Sequence, residues 1–256
     1  MAIRLKSPEE IAIMREAGRI VGQTLEKLRA MVRPGVNCLE FERVVAEEFR
    51  RAGAKETFRG YSPGPQYPPY PSNICVSVND ELVHGIPKDR ILKEGDIVSL
   101  DLGATYKGYV GDAAITVPVG HVDDTAKRLI EVTERALWAG IEAAGRAKYL
   151  ADICAAIEDA IRPSGFGIVR GYGGHGVGRE MHEEPHVPNH RIRFKGPPIR
   201  PGLVIAIEPM VTAGSPETYT DDDGWTVKTR DGSLCCHFEH TIAIVEGGKP
   251  LVLTLP

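Results

Sequence analysis

Four acidic side chains sit where a β-strand would bury them. Asp101 lies in Ser99-Leu-Asp-Leu-Gly103, and Asp112 lies in Val110-Gly-Asp-Ala-Ala114. Glu208 closes the apolar stretch Leu203 to Ile207, and Glu239 lies in His237-Phe-Glu-His-Thr-Ile-Ala-Ile244. Aspartate is depleted from strands, and like charges facing each other across a sheet destabilise it. Asp101 and Asp112 are about equally far from a turn at Tyr106-Lys-Gly108, so a hairpin is expected to set them opposite each other on one face. One such carboxylate could point to water or pair with an arginine. Four of them abutting core strands need a common partner, and a bound cation turns their repulsion into attraction.

The elements around them are marked by local signals. Ser7-Pro8-Glu9-Glu10 predicts a helix start, with Ser7 as N-cap, Pro8 at the first helical position and Glu10 completing a capping box. Ile11, Met14, Ala17, Val21, Leu25, Leu28 and Val32 then recur at helical spacing until Arg33-Pro-Gly35 stops the helix. A second helix is expected after Asn37, presenting Phe41, Val44, Val45 and Phe49 before Gly53. Strand signals follow at Ile74 to Asn79, Asp96 to Leu102 and Tyr109 to Val119. Helices then fit Asp123 to Ala144 and Leu150 to Ile161, and short strands fit Gly167 to Arg170, Leu203 to Ile207, Thr226 to Thr229 and Phe238 to Val245. This order, two helices then strands and again two helices then strands, predicts one α+β domain of two related halves, about 7–120 and 121–250. The stretch 62–71 has five prolines in ten residues, so it can be neither helix nor central strand and is expected to form a stiff loop.

Composition removes several function classes. With 256 residues, 42% apolar and 26% charged, the chain has ordinary globular usage and enough length for a core without disulfides. Lys plus Arg number 31 against 35 Asp plus Glu, a net charge of −4 with neither sign in a long block, so no dedicated nucleic-acid binder is expected. Cys38, Cys75, Cys154, Cys235 and Cys236 form an odd set without a Cys-x-x-Cys pair, which reads as reduced thiols packed as small hydrophobes. No apolar run exceeds five residues, as in Leu203 to Ile207, so nothing predicts a membrane span. The N-terminus carries charge from its fourth residue and has no apolar leader core, so a cytoplasmic protein is expected.

Gly173-Gly-His175-Gly-Val-Gly178 sets one histidine among glycines, which allow close approach of a ligand and positive φ. Four carboxylates and one imidazole make an oxygen-rich set able to hold two divalent ions. Such a set suits Mn²⁺, Fe²⁺ or Co²⁺, with Zn²⁺ also accommodated. Paired ions polarise a carbonyl and generate hydroxide at neutral pH, so hydrolysis is the natural chemistry. Two motif matches fail on context. Gly171-Tyr-Gly-Gly-His-Gly176 satisfies the dinucleotide fingerprint, but no helix-periodic segment follows it. His182-Glu-Glu-Pro-His186 satisfies the zinc-protease signature, but Pro185 and Pro188 deny it the helix it needs. His84 and His182 remain as imidazoles beside glycine or proline turns, open to either a functional or an ordinary loop role.

Taken together, Ser77-Val-Asn-Asp-Glu-Leu-Val-His-Gly-Ile-Pro87, Asp101 with Gly111-Asp112, Gly174-His-Gly-Val-Gly-Arg-Glu-Met-His182 with Pro185, Ile207-Glu-Pro-Met210 and Phe238-Glu-His-Thr241 resemble the type I methionine aminopeptidases. The likeness runs in unbroken order from about Ser7 to Val245. It implies the pita-bread fold, two pseudo-symmetric halves with a curved antiparallel sheet flanked by helices, around a dinuclear metal centre. It implies metal ligands Asp101, Asp112, His175, Glu208 and Glu239, with Asp112 and Glu239 bridging two divalent ions. A hydroxide bridging the ions would attack the first peptide bond, with Glu208 as its base. His182 would hydrogen-bond the scissile carbonyl oxygen and the developing oxyanion, and His84 would contact the scissile amide.

The resemblance also implies an apolar methionine pocket from Phe58, Tyr61, Tyr70, Cys75, His84, Met181 and Trp225. Phe58 stands where the family often has a smaller cysteine, and Met181 where it often has phenylalanine. Ser62 to Pro69 are eight residues where the family usually has about two, an insertion read as a rigid wall rather than as a polyproline ligand for a partner. The implied activity is release of N-terminal methionine from nascent polypeptides whose second residue is small, with the emerging chain at the ribosome as the natural partner and the enzyme a monomer. The rivals are a proline-type aminopeptidase or prolidase of the same fold, which usually carries an extra N-terminal domain, and a metal-free relative serving as a binding module. Converging carboxylates without cations would impose repulsion with no evident gain, which speaks against the latter.

Overall fold

A computed structural model of the chain describes residues 3–256; Met1 and Ala2, at the head of the segment read above for a leader, lie outside them. Among the described residues four α-helices form where the local signals predict. Helix α1 spans Pro8–Met31 and carries the expected capping box: the Glu10 amide donates to Ser7 Oγ, and the Ser7 amide donates to Glu10 Oε2 at 2.8 Å. Helix α2 spans Leu39–Ala52 and stops at Gly53 in the left-handed region. Helix α3 spans Asp124–Ala144, with Asp123 Oδ1 accepting from the Ala126 amide at 2.7 Å, and α4 spans Leu150–Ile161. Among the described residues no helix is long and apolar enough to cross a membrane.

The strands Ile97–Tyr106 and Tyr109–Pro118 make the predicted hairpin, but its register differs from the expectation. Lys107 and Gly108 both have positive φ, 48° and 80°, so the connection is a two-residue turn that pairs Tyr106 with Tyr109. Asp101 therefore opposes Ala114, and Asp112 opposes Gly103. The two acids share a face as diagonal neighbours, two residues out of step, and do not stand opposite each other.

Among the described residues the main sheet has nine antiparallel strands. Its central order runs Ile97–Tyr106, Tyr109–Pro118, Glu239–Ile244, Val204–Ile207, Gly173–Gly176, Glu183–Pro188. Each expected acidic segment thus sits beside another, although they come from distant parts of the chain. The last two strands, rich in glycine and proline, carry no strand signal of their own. Glu183–Pro188 in particular is extended and not helical, so the zinc-protease helix does not exist, and no helix follows Gly176 to support a dinucleotide fold.

Helix α1 lies against the back of the hairpin. Gly111, on the face opposite Asp112, lets the helix backbone come so close that a Cβ there would stand 2.5 Å from the Gly18 nitrogen. Val21, Leu25 and Leu28 of α1, Leu129 and Leu137 of α3 and Ile153 and Ile157 of α4 join Leu100, Leu102, Ile205 and Ile242 of the sheet in one large buried core. A sheet backed by helices in this way is a stiff platform, with its other face free to present polar groups. The five cysteines are free and buried.

Candidate metal centre

The acidic residues line up because of strand order and register. Ala114 pairs with Asp101 on one side and with Glu239 on the other, so the two acids share one cross-strand row with only a methyl group between them. Asp112 lies two residues before Ala114 and so points to the same face. Glu208 immediately follows Ile207, the partner of His240, which carries it to the end of the same row beside Glu239. His175 arrives from the next strand, where Gly176 pairs with Ile205. Its flanking glycines serve close packing and not the positive φ expected of them: a Cβ on Gly174 would meet the Ala206 carbonyl oxygen at 2.1 Å, and none of Gly173, Gly174, Gly176 and Gly178 has positive φ. The close approach seen here is of strand to strand.

All five expected ligands line one cleft of about 280 Å³. Asp112, His175 and Glu239 form one group, with His175 Nε2 3.9 Å from Asp112 Oδ2 and 3.7 Å from Glu239 Oε1. Ligand atoms that share an ion at about 2.0–2.2 Å lie roughly 3–4 Å apart, so this spacing fits a cation. The imidazole is set for the purpose. Its Nδ1 lies 3.0 Å from the Gly176 carbonyl oxygen, which can only accept, so the proton sits on Nδ1 and the Nε2 lone pair faces the carboxylates. Asp101 and Glu208 belong to a second group, and its third member is His237.

The electrostatics demand a positive charge. Burial pushes the carboxyls of Asp112, Glu208 and Glu239 well above the usual range, and their mutual proximity and Asp101 raise them further. Asp101 Oδ1, Asp112 Oδ1 and Glu239 Oε1 are buried without a hydrogen-bond partner among the described residues. Orphaned buried carboxylate oxygens are costly, and divalent cations are the ligands that satisfy them. The donor set therefore fits the ions that the sequence implies.

The remaining expected residues surround this floor. Phe58, Tyr70, Cys75, Met181 and Trp225 pack as one buried cluster with Tyr61 at its edge, and all six line the cleft with His84. Tyr70 meets Trp225 edge to face at 5.1 Å and donates its hydroxyl to the Gly85 carbonyl at 2.9 Å. Cys75 pairs in register with Asp101, so the apolar wall begins directly beside the acidic row. His84 has left-handed backbone, φ 59°, and its ring stands 6.1 Å from that of Trp225. Burial pushes its pKa down to about 4, so it is neutral at pH 7. His182 stands at the rim with its ring 4.3 Å from that of His175 and its Nδ1 2.7 Å from the Tyr61 hydroxyl. Desolvation in the cleft lowers its pKa, and the neighbouring His175 and His84 lower it further.

The proline-rich loop is pinched off at its neck. The Tyr70 amide donates to the Tyr61 carbonyl and the Gly60 amide to the Tyr70 carbonyl, both at 2.8 Å. Pro63 lines the cleft, and the Pro68 carbonyl accepts from Trp225 Nε1 at 3.0 Å.

Sequence reasoning left out Tyr172, His186 and Met210, which also line the cleft, and His237, whereas Pro63, also in the lining, belongs to the loop read as a wall. His237 lies two residues before Glu239, so strand alternation was a signal that could have placed both on one face.

A helix-backed antiparallel sheet with a two-group carboxylate and histidine centre defines a metal-dependent hydrolase. The comparisons with known proteins agree. The sequence matches Metallopeptidase family M24 over residues 12–246. It is 48% identical to the methionine aminopeptidase of Aquifex aeolicus, over 99% of both chains. The crystal structure of methionine aminopeptidase from Thermotoga maritima superposes with a TM-score of 0.94, at 42% identity and covering 100% of both chains. Prolidase from Pyrococcus furiosus shares the fold at a TM-score of 0.76 and 23% identity, over 98% of this chain and 65% of that one. The architecture is the pita-bread fold. The chain belongs to metallopeptidase family M24, among the methionine aminopeptidases.

Proposed function

We propose that this chain releases N-terminal methionine from peptides and nascent proteins whose second residue is small. One observation carries the reading: Asp101, Asp112, His175, Glu208 and Glu239 form the floor of a cleft whose adjoining wall is the apolar cluster of Phe58, Tyr70, Cys75, Met181 and Trp225. Asp101, Asp112, His175, Glu208 and Glu239 are the ligands of two divalent ions of the Co²⁺, Mn²⁺ or Fe²⁺ kind. Such ions supply Lewis acidity at a carbonyl and a hydroxide nucleophile at neutral pH. Phe58, Tyr70, Cys75, Met181 and Trp225 hold the methionine side chain, and His84 stands against the scissile amide. Glu208 accepts the proton of the attacking water. For the His182 Nε2 proton to donate to the carbonyl oxygen as negative charge grows on it, Nδ1 has to accept from a donor, and the Tyr61 hydroxyl 2.7 Å away can serve as one. The substrate is the emerging end of a polypeptide, the enzyme acts as a monomer, and its place is the cytoplasm.

Purified protein should release methionine from Met-Ala-Ser, lose that activity to a chelator and regain it with Mn²⁺ or Co²⁺. Cleavage of Gly-Pro-Ala in place of Met-Ala-Ser would assign the chain to the proline-type activity, and turnover indifferent to the chelator would remove the metals from the reaction.

The proline-rich loop is a wall for substrate beyond the first residue. Because its neck is already closed by backbone hydrogen bonds, cutting Ser62 to Pro69 to two residues leaves the fold intact. The shortened protein is expected to keep its kcat on Met-Gly and to change kcat/KM on longer Met-Ala peptides. Kinetics unchanged at every peptide length would leave the loop without this role.

A further inference from the structure

Residues 177–182 join the strands Gly173–Gly176 and Glu183–Pro188 and put two side chains into the cleft, Met181 and His182. The connection is neither helix nor strand, so a sheet ladder does not fix its shape. Glu183 turns back over it instead. Its Oε1 accepts from the Arg179 amide at 2.9 Å and lies so close that a Cβ on Gly178 would come within 2.2 Å of it. Its Oε2 accepts from Lys6 Nζ at 2.7 Å.

Lys6 is the buried lysine of the N-terminal segment, 9% exposed. Its ammonium also donates to the Arg4 carbonyl at 2.9 Å, and its amide donates to the Gly202 carbonyl at 2.7 Å, so both ends of the residue are anchored. Burial alone would raise the Glu183 carboxyl, but the Lys6 ammonium and the Glu180 and Arg179 amides hold it below the usual range, and the pair is ionic at neutral pH. A second tether reaches the same loop from the same end of the chain. Arg179 Nη2 donates to the Tyr109 hydroxyl at 2.7 Å, with its guanidinium 4.4 Å from the ring centroid, and that hydroxyl donates to Glu10 of the α1 capping box. Dehydrating a lysine and a carboxylate offsets most of their attraction, so such a pair adds little net stability. What this one does add is a fixed place for the residue beside Glu183, which is His182.

We propose that Lys6 and Glu183 are positioning residues for His182, their ion pair holding residues 178–182 so that the imidazole keeps its place at the cleft rim, 4.3 Å from the His175 ring and 2.7 Å from the Tyr61 hydroxyl. The proposal rests on the oxyanion role given to His182 above and adds what aims it. A donor stabilises growing charge best when it is fixed before the charge appears, so a loosened loop costs turnover. The first residues of the chain, outside the cleft, thereby act on the reaction.

The test is a double-mutant cycle in kcat on Met-Ala-Ser, with the full chain loaded with Co²⁺. Lys6→Met keeps the buried stem and removes the charge. It is expected to lower kcat about tenfold in the otherwise wild-type chain and less than about twofold in the His182→Ala background, because a lost donor cannot be misplaced. Calorimetric Co²⁺ affinity should be the same with and without Lys6→Met. Glu183→Gln, which keeps an acceptor for the Arg179 amide, should give the same pattern and carries the cycle if Lys6→Met does not fold. An equal loss of kcat in both backgrounds, or weakened Co²⁺ binding, would show the pair supporting the fold or the metals instead, and overturns the proposal. So does a loss below about twofold in the otherwise wild-type chain. If His182→Ala alone leaves kcat unchanged, the oxyanion reading itself is refuted and the proposal with it, so the two failures are told apart.

Discussion

Asp112→Asn is expected to lower kcat/KM on Met-Ala-Ser by at least about a thousandfold, roughly 4 kcal/mol of transition-state stabilisation. The carboxylate is 3% exposed and has one oxygen without a partner among the described residues. An amide keeps the shape but loses the negative charge and one anionic ligand atom, and a divalent ion is held chiefly by such charge. The same substitution should make the metal-free protein more stable. The folded-state pKa of Asp112 lies well above its ordinary 3.8, so the fold favours the protonated carboxyl. That contribution is complete below the ordinary value and is lost as pH rises through the raised one. Metal-free wild-type protein should thus lose stability relative to Asp112→Asn as pH climbs above the ordinary carboxyl value of 3.8. The measurements are turnover and melting temperature in matched buffers with chelator. Turnover within tenfold of the wild type, or a melting difference that stays flat across this range, would count against the role given to Asp112.

These opposed effects on activity and apo stability describe how the site is built. The sheet forces carboxylates together at a cost that protonation or bound cations relieve, and the helix-backed platform bears that cost. This origin is also why the acids were legible in the sequence: Asp101 and Glu239 interrupt apolar strand patterns, and nothing in a strand's own chemistry calls for them there. The helices were legible from local rules, as the capping box at Ser7 and the stop at Gly53 show.

What could not be read locally was made by other parts of the chain. Gly173–Gly176 and Glu183–Pro188 have poor strand propensity and become strands only because Val204–Ile207 and each other supply the partners. Reading Lys107 as part of a three-residue turn shifted the hairpin register, because a left-handed lysine is rarely expected and the two-residue turn requires one. His237 was overlooked because it follows two cysteines in a segment with little polar contrast. Its neighbour Phe238 faces the main core while Glu239 faces the cleft, the alternation that gives His237 away.

The platform has a weak point directly behind the metal centre, and Gly111→Ala is expected to expose it. Gly111 immediately precedes Asp112, and the alternation that aims Asp112 into the cleft aims Gly111 at α1. A methyl group there would stand 2.5 Å from the Gly18 nitrogen and 2.7 Å from the Ala17 carbonyl carbon and the Gly18 Cα. All three are backbone atoms of a 24-residue helix, so no side chain can swing away. Retreat of α1 would break a second contact as well. Gly18 itself lies against the chain's C-terminal segment, where a Cβ would meet the Leu253 carbonyl oxygen at 2.2 Å. The helix thus seats on the hairpin and on residues 253–254 at once, and the substitution must either part it from both or push the hairpin strand forward. Overpacking of this kind costs about 1–3 kcal/mol. Because the displaced strand carries Asp112, metal affinity should fall together with stability. Denaturant melts of the metal-free protein check the first effect and calorimetric Co²⁺ titration checks the second. A loss below about 1 kcal/mol would mean that helix and hairpin are less tightly apposed than these distances require. The full stability loss with unchanged Co²⁺ affinity would mean that the hairpin strand can move without carrying its aspartate out of the site.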